Sequence, residues 1–199
     1  ELYNELEKGP DAFAMLSAHV GNYEMGGYTL VAKSKCIYML VFGQETQTVM
    51  ENRQEQFGKT NIRMVPVGNG MKHLFAINEA LTTGQILSMT ADRRFGSEKA
   101  VPCNFFGAEA LFPMGPFATV IQRDVPTLVV LVVKTGTRSY HAVVKRLPMP
   151  ESHLPRKERI ALLAQAYANE LENVVRQYPE QWFNFFNIWT TTTCQNPKQ

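Results

Sequence analysis

An α/β domain with a largely parallel or mixed central sheet flanked by helices is the fold this sequence predicts, and three observations predict it. Ala12 to Ala18 is a short apolar run that stops at a polar His19, after which Gly21 and Asn22 break the pattern: strand, tight turn, helix. Further apolar runs of strand length, Cys36 to Phe42, Ile62 to Val67, Gln85 to Thr90 and Thr127 to Lys134, are separated by segments of helical character. A long amphipathic segment, Arg156 to Gln177, carries Ile160, Leu163, Ala164, Tyr167 and Leu171 on one stripe.

In chain order, residues 1–10 read as the end of a polar helix closed by Gly9 and Pro10. The first strand follows, and Asn22 is placed to cap a helix running to Ser34, with Glu24 in its first turn and Gly26 and Gly27 allowing close backbone approach. The continuous apolar run Cys36 to Phe42 is a buried parallel strand, and the polar stretch Gln44 to Gln56 suits a solvated helix ending at Gly58, with Arg53 in its last turns. From the spacing alone Arg53 complements the helix dipole. Ile62 to Val67 is a strand. Gly70 to Leu81, with Leu74, Ile77 and Leu81 among its apolar positions, is a helix stopped at Gly84.

The strand Gln85 to Thr90 runs into Ala91, Asp92, Arg93 and Arg94, a second strand end carrying charge. Adjacent arginines there suit a phosphate or an acidic partner, or plain solvation, and Asp92 suits a site residue, a turn or an ion pair. Residues 101–117 are apolar but punctuated by Pro and Gly, too irregular for one element, and their phenylalanines suit the core, or an apolar groove or membrane-facing loop. Gly115 to Gln122 opens a helix. Thr127 to Lys134 is apolar and β-branched, Thr135 to Arg138 is a turn, and Ser139 to Leu147 alternates as an antiparallel edge strand. Pro148 to Pro155 is a linker. Tyr178 to Trp189 is a docking element or a lipid-facing lip, and the domain spans residues 1–190 with a disordered tail over 191–199.

Composition bounds the partners. The chain has 199 residues, 45% hydrophobic, with a net charge of +2 from 20 basic and 18 acidic side chains, which gives no argument for nucleic acid. The three cysteines are far apart and contain no Cys-x-x-Cys pair, so neither a metal site nor a disulfide framework is expected. No apolar segment reaches the roughly 20 residues that span a bilayer.

The chemistry concentrates at His19. A histidine at a strand's carboxyl end, with Glu24 five positions on across a turn, forms a pair in which the carboxylate holds one ring nitrogen as N–H and the other takes a proton from a hydroxyl or amine. The helix N-terminus beside it offers N–H groups to an oxyanion. A histidine in this position is also commonly a structural or surface residue.

Five pieces stand in order along nearly the whole chain: SAHVGNYE with its His-x4-Glu box, ENRQEQFG around Arg53, GQILSMTAD ending at Asp92, FFG with the later Gly115 and Pro116, and YPEQW. Together they resemble the lysophospholipid acyltransferase superfamily, in its branch of bacterial lipid A biosynthesis (lauroyl/myristoyl) acyltransferases. The resemblance implies a glycerolipid acyltransferase-like fold and transfer of a fatty acyl chain from acyl carrier protein, or coenzyme A, to a hydroxyl or amine of a membrane lipid. It implies His19 as general base oriented by Glu24, with Arg53 and Asp92 binding polar head groups or supporting the pocket; Arg93 is a further candidate to bind the substrate, on its charge at the strand end. Phe105, Phe106 and Gly107 would line the acyl groove. No metal or other cofactor is implied, and the place of work is the cytoplasmic face of the inner membrane, peripheral or anchored by a segment upstream of Glu1. Two departures touch the acceptor: Arg93 stands where the branch favours glutamine, and Phe183 to Asn187 replaces a Trp-x-His-Arg type ending. A thioesterase-like hydrolase on the same fold and a non-catalytic lipid-binding module are the competing readings.

Overall fold

The computed structural model describes residues 1–22, 32–42, 61–68, 70–94 and 98–190. Its elements are α1 (Leu2–Lys8), β1 (Phe13–Ser17), β2 (Ile37–Phe42), β3 (Ile62–Val67), α2 (Lys72–Thr82), β4 (Ile86–Thr90), β5 (Ala100–Phe105), β6 (Ala108–Pro113), α3 (Met114–Arg123), β7 (Thr127–Lys134), β8 (Tyr140–Arg146) and α4 (Arg156–Gln177). A short 3₁₀ turn, Pro179–Gln181, follows α4. The expected helices over 22–34 and 44–56 and the tail 191–199 lie outside the described residues, apart from 32–34, which are not helical.

The central sheet has six strands in the order β3-β2-β4-β1-β7-β8. All pairs are parallel except β7 with β8. This is the mixed α/β sheet expected, with its antiparallel strand at one edge. β1 lies between β4 and β7, so both its edges are paired, and its alternate residues feed two cores, one on each face of the sheet. Ala14 and Leu16 join the larger core, with Phe105, Phe112, Phe117 and the α4 stripe. Phe13 and Met15 join the smaller one, beneath Tyr3 of α1.

Three expectations change. Residues 100–113 are a regular hairpin rather than an irregular stretch: Val101, Cys103 and Phe105 point inward while Pro102 and Asn104 point out. Pro102 masks this pattern in the sequence, and a two-stranded sheet with free edges tolerates it. Leu74 is half-exposed, because α2 buries Ala76, Ile77 and Ala80 instead. The segment 178–189 docks by isolated bridges, Val20 to Trp182 and Ala110 to Trp189, rather than as one element.

Candidate active site

The register of two strands builds the site. Ser17 of β1 pairs with Thr90 of β4, so His19 and Asp92, each two positions further on, leave the sheet side by side at its carboxyl edge. The Asp92 carboxylate is buried, and the protein surrounds it with donors, as a buried charge requires. His19 Nδ1 lies 2.8 Å from Oδ1, the His19 backbone N–H donates to Oδ2 at 2.9 Å, and the Trp182 indole N–H reaches Oδ2 at 3.4 Å. With Nδ1 donating to Asp92, the neutral ring presents Nε2 as its acceptor nitrogen. The His19 side chain keeps 13% of its surface accessible. Beneath the pair, the Tyr167 hydroxyl donates to Ser17 O at 2.8 Å. Burial, with the Asp92 charge, pushes its pKa well above the ordinary tyrosine range.

The backbone around His19 is clamped from two sides. Its carbonyl accepts the Phe183 N–H at 2.8 Å, Gly21 N–H donates to Gln181 O at 2.7 Å, and Asn22 N–H donates to Val132 O at 2.9 Å. Gly21 has φ +60°, and a Cβ there would stand 2.0 Å from Val132 O, so only glycine fits between β1 and β7.

An aromatic wall backs the pair. Trp182 packs on Phe105, which also contacts Phe106, Phe112 and Trp189. Phe105 is fully buried and supports Trp182 from behind. Phe106 and Gly107 are the two-residue turn of the β5–β6 hairpin, with φ of +56° and +80°, as a type I′ turn demands. The Phe106 N–H donates to Glu172 Oε2 at 2.6 Å, and the Arg176 guanidinium lies 4.7 Å from the Phe106 ring. That backbone donor, with Arg176 beside it, holds the Glu172 carboxyl below the usual range.

Arg93 turns back over the site. Its Nη2 donates to the Phe183 carbonyl, its guanidinium stands 5.5 Å from the Phe186 ring, and its buried Nε makes no hydrogen bond to a described residue. An open cleft of about 620 Å³ adjoins this corner, between Gly21 and Asn22, the β7–β8 turn and Gln181. Glu24 and Arg53 lie outside the described residues.

Among the described residues no cluster of His, Cys, Asp or Glu could hold a metal ion. Cys103 is unsuited as a nucleophile, because burial pushes its thiol up to about 12. Of the residues brought together here, the sequence singled out His19, Asp92, Arg93, Phe105, Phe106 and Gly107, but not the contact between His19 and Asp92. It put Tyr167 on the apolar stripe of the long helix and Trp182 in the YPEQW piece, with no role at the site for either. The available signal was that two predicted strands, Ala12 to Ala18 and Gln85 to Thr90, end one and two positions before a polar residue.

No curated protein matches the chain. A family model described as bacterial lipid A biosynthesis acyltransferase matches residues 4–191, covering the sheet, the His19–Asp92 corner and the aromatic wall together. The chain therefore belongs to the bacterial lipid A biosynthesis acyltransferase family.

Proposed function

We propose that the protein transfers a fatty acyl chain from an acyl carrier protein or coenzyme A thioester to a hydroxyl or amine of a bacterial membrane lipid. The observation that carries this reading is the His19–Asp92 pair at the carboxyl edge of the sheet. His19 Nε2 takes the acceptor's proton as its oxygen or nitrogen attacks the thioester carbonyl. The tetrahedral intermediate then expels the thiolate, which takes the proton back from the imidazolium, so no covalent enzyme intermediate forms. Asp92 holds the ring tautomer and stabilises the imidazolium. Glu24 is a second carboxylate for the same histidine, on the resemblance of its His-x4-Glu box.

Arg93 and Arg53 bind polar groups of the substrate. Phe106 and Gly107 border the acyl chain, with Phe105 acting through Trp182. The reading needs no metal and no cofactor beyond the acyl donor. The site works at the cytoplasmic face of the inner membrane. In this reading attachment is peripheral or through a segment upstream of Glu1; no helix among the described residues is long and apolar enough to cross a membrane.

The test is incubation of the protein and its His19→Ala variant with a labelled acyl carrier protein thioester and a total bacterial lipid extract, followed by mass spectrometry of the lipids. A new acylated lipid that vanishes in the variant is expected and would name the acceptor. Free fatty acid alone would replace transfer by hydrolysis, and the absence of any His19-dependent product would leave a lipid-binding module.

A further inference from the structure

The large apolar side chains that the described residues leave in solvent gather at one end of the molecule. Met71, Leu74 and Phe75 stand at the start of α2, Phe75 at 68% exposure. Phe183, Phe185 and Phe186 follow the 3₁₀ turn, Phe185 at 84%, and Tyr140 opens β8. Topology puts all of them on the carboxyl edge of the parallel strands. α2 begins a few residues after β3 ends there. Tyr140 pairs with Lys134, the last residue of β7. The 183–186 segment is bonded to His19 and Arg93, which follow β1 and β4. Leu162 is the exception: Arg159, just before it, is bonded to Asp124 ahead of β7, at the opposite edge.

Among the described residues, basic side chains outnumber acidic ones on this rim. Lys72, Arg94, Lys134 and Arg138 are exposed on the same connections, against Glu98 and Glu180. Apolar side chains ringed by cations are what an anionic lipid surface binds: the apolar groups enter the headgroup and acyl boundary by about 5–10 Å, and each cation near the surface adds attraction.

We propose that the carboxyl rim of the sheet, carried by Met71, Leu74, Phe75, Phe185 and Phe186, is a docking face for an anionic phospholipid bilayer. It brings the His19 corner to the depth at which acyl chains and lipid hydroxyls meet. The inference rests on the acyl-transfer reading for the purpose of the face, and its test does not depend on turnover.

The experiment is co-sedimentation of the chain with vesicles of phosphatidylcholine containing phosphatidylglycerol, and with phosphatidylcholine alone. Phe185→Ser and the double variant Leu74→Ser/Phe75→Ser are compared with Leu162→Ser, and thermal melts check that each variant folds. Binding to the anionic vesicles should fall about tenfold in each rim variant. It should be unchanged in Leu162→Ser and His19→Ala, and weaker on the neutral vesicles for every protein. Wild-type binding by the rim variants, an equal loss in Leu162→Ser, or no binding by the wild type would overturn the proposal. So would a dimer in sedimentation velocity that the rim variants dissolve in the absence of vesicle binding, since a second copy would then cover the face. A His19-dependent acyl product without vesicle binding would leave the acyl-transfer reading standing and remove only this one.

Discussion

Asp92 shows how much a single buried carboxylate can decide. It accepts from the His19 ring, the His19 backbone and Trp182 at once, so replacing it disturbs orientation rather than bulk. In Asp92→Asn an amide N–H₂ can turn toward Nδ1 and drive the ring proton onto Nε2, the nitrogen needed as acceptor. Turnover should fall about 10²-fold or more with little change in KM, as initial rates over a range of acyl donor will show. A wild-type rate in this variant would take Asp92 out of the mechanism. Two glycines give a contrasting pair. Gly21→Ala drives a Cβ against Val132 O and should cost roughly 3 kcal/mol or more, lowering the melting temperature and activity together. Gly107→Ala meets open space, so only its positive φ is penalised, by about 1–2 kcal/mol. Its kcat should stay unchanged, and a raised KM is the result that would place substrate at the turn.

At the scale of elements, α4 ties the sheet to the hairpin. Its buried stripe of Ile160, Leu163, Ala164, Tyr167 and Leu171 follows from the 3.6-residue period, and the sequence placed this helix at Arg156 to Gln177, as found. What the period could not show is what the stripe touches. Tyr167 packs on Phe112 and Phe117 and bonds to the end of β1, just below His19. Tyr167→Phe should cost about 1 kcal/mol and Tyr167→Ala about 3–5 kcal/mol in denaturant midpoints. The hairpin was the element least legible, for two local reasons. Pro102 breaks the strand pattern, and Phe106 stands at a positive φ that glycine or asparagine ordinarily occupies. Glu172 and Arg176 of α4 brace that turn from outside, through contacts that span 66 and 70 residues of sequence.

For the whole molecule, the clearly shifted groups set a stability plateau with two edges. Glu7 is a buried residue of α1, and its carboxylate accepts the Ser34 and Lys33 N–H groups at 2.5 and 2.7 Å. These donors hold it below its ordinary 4.5, as the Phe106 N–H and Arg176 do for Glu172. When pH falls below about 4.5 the unfolded chain takes up these protons first, so this stability is present above that pH and is lost as pH falls through the lowered folded values. At the alkaline edge Tyr3 and Tyr167 are both raised, chiefly by burial. The unfolded tyrosines ionise near 10, and the unfolded Cys103 thiol, also raised by burial in the fold, near 9, so stability falls as pH rises above about 9. Denaturant midpoints from pH 3 to 11 should therefore be flat in the middle. The acid limb should be shallower in Glu7→Gln and the alkaline limb shallower in Tyr167→Phe.

The sequence by itself determined the apolar runs that become strands, the stripe of α4, and the position of His19 at a strand end. Each depends on side chains close along the chain and on which of their faces water leaves. Only the tertiary structure decided that β4, rather than β2, lies directly beside β1. That choice sets Asp92 against His19 across 73 residues. It also lets Trp182 close over the pair from beyond the end of α4. Strand order depends on how the helices and the hairpin fill both faces of the sheet together, and spacing along the chain carries no trace of that packing.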